Sequence, residues 1–220
     1  MKKLSLFLLI SIVFVSCKES ITVPEGNNFY FENPQPINDS ELNQIPNKFL
    51  GNYINADSIK LNFTQNGIFQ QTNYKFRIHK KNIDSLKTEF EISNGNYILK
   101  SSKEIFKSKL IGDSIELSNS NVDTLFKFSN NQKAKRFNGN LILSVKDSIY
   151  WKIKLISISK NKLIIKQVYS DADLKSMDSI TKILYKKTDE NSYIISPSRN
   201  EFSKFLKLKN FGFSQEFVKI

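Results

Sequence analysis

The 220-residue chain holds one cysteine, one histidine, one tryptophan, seven glycines and three arginines. Each shortage removes a class of chemistry. A single cysteine, Cys17, cannot close an internal disulfide, and with one histidine the chain lacks the Cys/His sets of zinc sites. Any Ser-His-Asp arrangement would hang on His79 alone. The glycines stand singly, so no glycine-rich loop is available to cradle a phosphate. Arg77, Arg136 and Arg199 are far apart and the lysines are scattered. The formal charge of +12 therefore does not gather into the basic stripe of a nucleic-acid binder. No nucleic-acid partner is expected. Proline is missing between Pro46 and Pro197, a gap that suits unbroken sheet ladders.

Only one long hydrophobic run is present, the twelve residues Leu4 to Val15. A spanning helix needs about 20. Lys2 and Lys3 precede the run, and small Ser16 and then Cys17 follow it. A basic start, a short apolar core and a small residue are the parts of a cleaved secretory signal, here residues 1–16. Phe14-Val15-Ser16-Cys17 resembles the lipobox of bacterial lipoproteins, with Phe14 where that family usually carries leucine. The resemblance implies cleavage before Cys17 and acylation of its thiol. Each buried methylene contributes about 0.8 kcal/mol, and stable anchoring takes more than one acyl chain. Loss of Lys2 and Lys3 leaves 31 basic against 21 acidic residues, a charge of +10. The Lys18-Glu19 start resembles the charged export tract of Bacteroidota-type surface lipoproteins, which implies the outer membrane.

Residues 17–45 are polar and carry Pro24, Pro34 and Pro36, a composition that reads as a flexible spacer. Residues 46–220 read as one all-β domain. Ile59, Leu61 and Phe63 alternate with polar residues, as do Tyr74, Phe76 and Ile78 and then Trp151, Ile153 and Leu155. Asn66-Gly67 and Asn94-Gly95 predict hairpin turns. About ten short strands in an antiparallel meander result, the spacing of a barrel or sandwich. Ile180 to Tyr185 and Tyr193 to Ile195 are expected to form the last pair. One C-terminal helix is predicted: Ser198 to Glu201 forms a capping box, and Phe202, Phe205 and Leu206 share a face. Gly51-x-Tyr53 before the first strand, the meander and the late helix resemble lipocalin-like envelope lipoproteins, which implies a barrel without naming a ligand.

A short phrase recurs. Asp57-Ser58, Asp84-Ser85, Asp113-Ser114, Asp147-Ser148 and Asp178-Ser179 each precede an aliphatic residue, and Asp123-Thr124-Leu125 is a variant. Six of the ten aspartates take part, well above chance, so the phrase needs a cause. Asx and Ser/Thr turns feeding a strand supply one. The phrase also resembles the O-glycosylation acceptor of Bacteroidota-type envelopes, which implies modification at Ser58, Ser85, Ser114, Thr124, Ser148 or Ser179.

No catalytic residue, cofactor or metal site is predicted. With Cys17 committed to lipid, the only thiol is removed from chemistry. His79 falls on the outward face of its strand. Asp171 and Asp173 resemble the start of a calcium loop, but its sixth position would be Ser176 and its twelfth Lys182. Aromatics are plentiful; Phe63, Phe76 and Trp151 read as core, and others could line a cavity. The expected role is a non-enzymatic binding or interaction module, taking an apolar ligand, a polysaccharide or an envelope protein. Two alternatives stay open: an assembly factor or toxin-immunity protein, and a glycoside hydrolase with paired carboxylates.

Overall fold

The structure is a computed structural model that describes residues 26–180, 183–208 and 211–220. Strands β1 (Asn28–Phe31) and β2 (Glu41–Leu42) precede a first meander of β3 (Gly51–Ile54), β4 (Lys60–Thr64) and β5 (Gly67–His79). Helix α1 (Ile83–Leu86) and strands β6 (Phe90–Ser93) and β7 (Asn96–Leu99) lead to β8 (Ile105–Ile111) and β9 (Ser114–Lys127). A second meander follows: β10 (Gln132–Phe137), β11 (Asn140–Asp147), β12 (Tyr150–Ser159) and β13 (Lys162–Gln167). Helix α2 (Asp171–Ile180), the hairpin of β14 (Tyr185–Asp189) and β15 (Ser192–Ile195), α3 (Arg199–Phe205) and β16 (Phe213–Lys219) complete it.

The all-β expectation holds, with sixteen strands in one sheet among the described residues where about ten were expected. The main path runs β14-β15-β1-β12-β13-β16-β3-β4-β5-β9-β8-β7-β6, while β11 flanks β12 and leads through β10 to β2. Pairing is antiparallel except between β1 and β15, which run parallel from Asn28↔Ser192 to Phe31↔Ile195. That pair starts the fold inside the stretch whose composition suggested a spacer. Phe29 and Phe31 alternate there and are buried, as is Ile45 further on.

One hydrophobic cluster draws Tyr53, Leu61, Ile68, Phe126, Ala134, Leu141, Leu143, Ile156, Ile165 and Phe217 from nine strands, β3 to β5, β9 to β13 and β16. Strands so far apart in the order can share one core only if the sheet curls round its inner face. The curl is a half-barrel among the described residues: no ladder joins β9 to β10, whose second edge takes β2. A second cluster covers the other face of β11 and β12, where Ile142, Trp151 and Ile153 meet Leu174 and Met177 of α2 and Phe202 and Phe205 of α3. Strand β12 is thus covered on both sides. A third cluster, Leu86, Phe90, Tyr97, Phe106 and Leu117, serves the arm that β5 and β9 extend beyond the half-barrel.

Three local expectations are corrected. Among the described residues three α-helices form where one is predicted. The capping box on α3 is present as read, but α2 occupies Asp171–Ile180 and places Asp178-Ser179 in a helix. Its start has its own box: the Asp173 amide donates to Ser170 Oγ (3.3 Å) and the Ser170 amide to Asp173 Oδ2 (2.8 Å). The last hairpin pairs Tyr185–Asp189, not Ile180 to Tyr185, with Ser192–Ile195. Finally, Asn94-Gly95 adopts the two positive φ values of a type I′ turn, at 49° and 76°. Asn66-Gly67 does not: Gly67 pairs with Thr64 as the first residue of β5, and Gln65 and Asn66 turn without positive φ. Gly67 is there for another reason, because a Cβ would lie 2.6 Å from the Phe126 carbonyl oxygen.

Candidate functional site

Strand β12 carries the group that stands out. Period two sets Trp151, Ile153 and Leu155 toward the helices, so Lys152, Lys154 and Ile156 face the other way, into the half-barrel. Ile156 belongs to the inner core, and the residue directly opposite Lys154 on β11 is Leu143, also in that core. Lys154 is therefore an ammonium group on an apolar inner face, half-buried, with no hydrogen-bond or ion-pair partner among the described residues. Burial, and next the like charge of Lys152, push its pKa down to about 8.

Lys154 lines a cavity of about 560 Å³ between β1, β9, β11, β12 and the end of β13. Leu125 and Val145 line it from the half-barrel side, Ile153 and Val168 of the helix-side core border it as well, and Asn27, Asn28 and Gln167 give neutral polar groups. The volume lies within the ~300–1,000 Å³ usual for small-molecule sites. Its charged groups besides Lys154 are Lys146, Lys152 and Asp147. Lys152 and Asp147 pair at 2.8 Å, and Lys152 lies 5.1 Å above the Tyr30 ring. Burial opposes the Lys152 charge, yet its bonds to Asp147 and Tyr30 leave its pKa raised. The site so formed holds an engaged ion pair, an exposed Lys146 and one unengaged amine. A different buried lysine shows the contrast: Lys135 donates to the carbonyls of Pro36 (2.7 Å) and Pro34 (3.3 Å) and so has a structural task.

A second hollow, about 630 Å³, lies on the outer face of β3, β4, β5 and β9. Asn52, Asn62 and Phe69 stand in register across it, beside Gln71 and Val122. Of its lining, only Lys60 is charged.

The residues singled out from the sequence scatter. Cys17 lies outside the described residues. Ser58 and Ser148 sit in exposed turns with φ of 63° and 59°, and Ser114 opens β9 after a turn, as strand-entry chemistry requires. Ser85 in α1, Thr124 within β9 and Ser179 in α2 are exposed but occupy regular elements, so turn chemistry does not account for those copies. His79 is exposed at the end of β5, where its Nδ1 accepts from the Lys81 amide at 3.1 Å. Asp171 accepts from Tyr193 Oη (3.0 Å) and Asn27 Nδ2 (2.7 Å). Asp173 accepts from the amides of Tyr169, Ser170 and Gly212, tying α2 to the approach of β16. Both aspartates are thus taken up by the fold. Phe63 and Trp151 are core residues, and Phe76 packs edge-on against Phe106.

Sequence reasoning passed over Lys154 because it alternates with Trp151, Ile153 and Leu155 and so looks solvent-facing. The signal was two residues on: Ile156 and Ile158 continue the Lys154 face and are apolar, which marks a strand covered on both sides. Compared with known proteins, the chain matches no family model, no curated protein and no solved structure.

Proposed function

We propose that this chain is a lipoprotein anchored in the outer membrane through acylated Cys17, and that its half-barrel is a non-enzymatic binding module whose ligand occupies the Lys154 cavity. The observation that carries the binding part is a lysine without a partner among the described residues, on an apolar inner face and lining a cavity of small-molecule size. A lone charge in such a place is costly to the fold, and a ligand that engages it relieves the cost. The basic, apolar and small-residue order of Met1 to Cys17 supports the anchoring part. The exposed turns at Ser58 and Ser148 support modification there, since their hydroxyls stand clear of the sheet.

Membrane fractionation of Cys17→Ala in the native host tests the anchor: the variant should leave the membrane fraction, and a variant that stayed would overturn the anchoring claim. Mass spectrometry of the chain extracted from its host tests the rest. Under native conditions it should retain a small molecule that denaturation releases; a bare lipidated mass would count against the cavity as a binding site. The denatured mass should exceed the lipidated chain by whole sugar units, and a match to the lipidated chain alone would end the glycosylation reading.

A further inference from the structure

Resting on the binding reading above, we infer that the cavity selects an organic carboxylate: the acid group pairs with Lys154 Nζ and the apolar remainder lies against Leu125 and Val145. The argument begins with charge. Lys152 and Asp147 neutralise each other at 2.8 Å, while Lys146 and Lys154 have no acidic partner among the described residues, so the cavity lining presents excess positive charge. The other polar side chains lining the cavity are neutral: Asn27, Asn28 and Gln167. An anion is what this set lacks. A cationic ligand would meet like charge from three lysines against one aspartate. A neutral one would leave the amine without a partner in a partly desolvated site, a loss of one charge-assisted hydrogen bond. Much of the lining is apolar, Leu125 and Val145 among it, which a hydrated inorganic ion would not use. Carboxylate binding would also draw a proton onto Lys154 near pH 8, where the amine is half neutral without ligand.

The test is calorimetric titration of sodium octanoate, and separately octan-1-ol, into the full chain held in phosphatidylcholine nanodiscs, with protein-free discs as the blank. Octanoate should bind the natural chain. Lys154→Met should weaken it at least tenfold, while Lys154→Arg, which keeps a cation in place, should stay within about threefold. Octanol should not distinguish the three proteins. Circular dichroism of each variant checks that the fold is intact. If octanoate and octanol bind the natural chain and Lys154→Met equally, the carboxylate inference falls and the cavity reading stands. If neither probe gives heat beyond empty discs, both fall.

Discussion

Replacing Lys154 by methionine should make the protein more stable at neutral pH, the reverse of the usual effect of mutating an inward-facing residue. The lysine pKa falls from an ordinary 10.5 to about 8 in the fold. At about 1.36 kcal/mol per pH unit this is a penalty of about 3 kcal/mol for holding the charged form. Because part of the side chain is open to the cavity mouth, about 2 kcal/mol is the working figure. The sign follows from proton binding. Between pH 8 and 10.5 the unfolded chain binds more protons at this site than the folded one, so this group adds stability as pH rises through that window. Below pH 8 its penalty is fully present. Methionine keeps an unbranched apolar stem across from Leu143, its register partner, and removes the charge. Urea unfolding of both proteins should place Lys154→Met about 2 kcal/mol above the natural chain at pH 7, with the gap closing toward pH 10.5. By thermal unfolding the pH 7 gap should be about 4–8 °C for a chain of this length. Other groups titrate in the same range, so the quantity to read is the difference between the two proteins. A variant less stable than the natural chain at pH 7, or a gap flat in pH, would refute the placement of Lys154 in a desolvated, unpaired site. A gain in stability with loss of octanoate binding would be a local trade of stability for function.

Two further substitutions test the frame around the cavity. Asp173 is 5% exposed, and its carboxylate accepts from Gly212 N (2.6 Å), Ser170 N (2.8 Å), Tyr169 N (3.0 Å) and Ser170 Oγ (3.0 Å). Asp173→Ala should cost about 3 kcal/mol by urea unfolding, since each buried amide left unsatisfied costs about 1–3 kcal/mol and the losses overlap; a change under about 0.5 kcal/mol would show that α2 is not pinned there. Gly67→Ala should cost about 1–3 kcal/mol, because its Cβ would meet the Phe126 carbonyl oxygen at 2.6 Å and backbone must shift to make room. Gly112→Ala is the control: at φ of +55° with nothing within 4 Å, it should lose only the left-handed backbone preference, about 1 kcal/mol. Equal losses at the two glycines would deny the close approach at Gly67.

Most strands were legible because their signal is local. Leu61 and Phe63 alternate with polar neighbours, and Leu61 and Phe63 are buried in the structure. The capping box Ser198 to Glu201 was legible for the same reason, since its bonds close within one turn. Helix α2 carried an equivalent Ser170-x-x-Asp173 start, with Leu174 and Met177 three apart. Its acidic first turn has the Asp-x-Asp spacing of a calcium loop, which masks the cap in the sequence. Strand β1 was hidden by composition. Four residues among prolines and asparagines look unable to bury surface alone, and they do so here only by lying parallel to β15, more than 160 residues away.

From sequence alone come the all-β class, the antiparallel hairpins, the helix after Pro197 and the anchor expected at Cys17, because each rests on neighbours within a turn or a hairpin. The cavity does not come that way. Whether a strand face meets water, a helix or its own sheet curling back depends on contacts between residues far apart in the chain, and one lysine reads the same in all three. Only the curl of β10 to β13 toward β9, with α2 and α3 covering the opposite face, turns Lys154 from a surface charge into an amine that lines a cavity with no partner among the described residues.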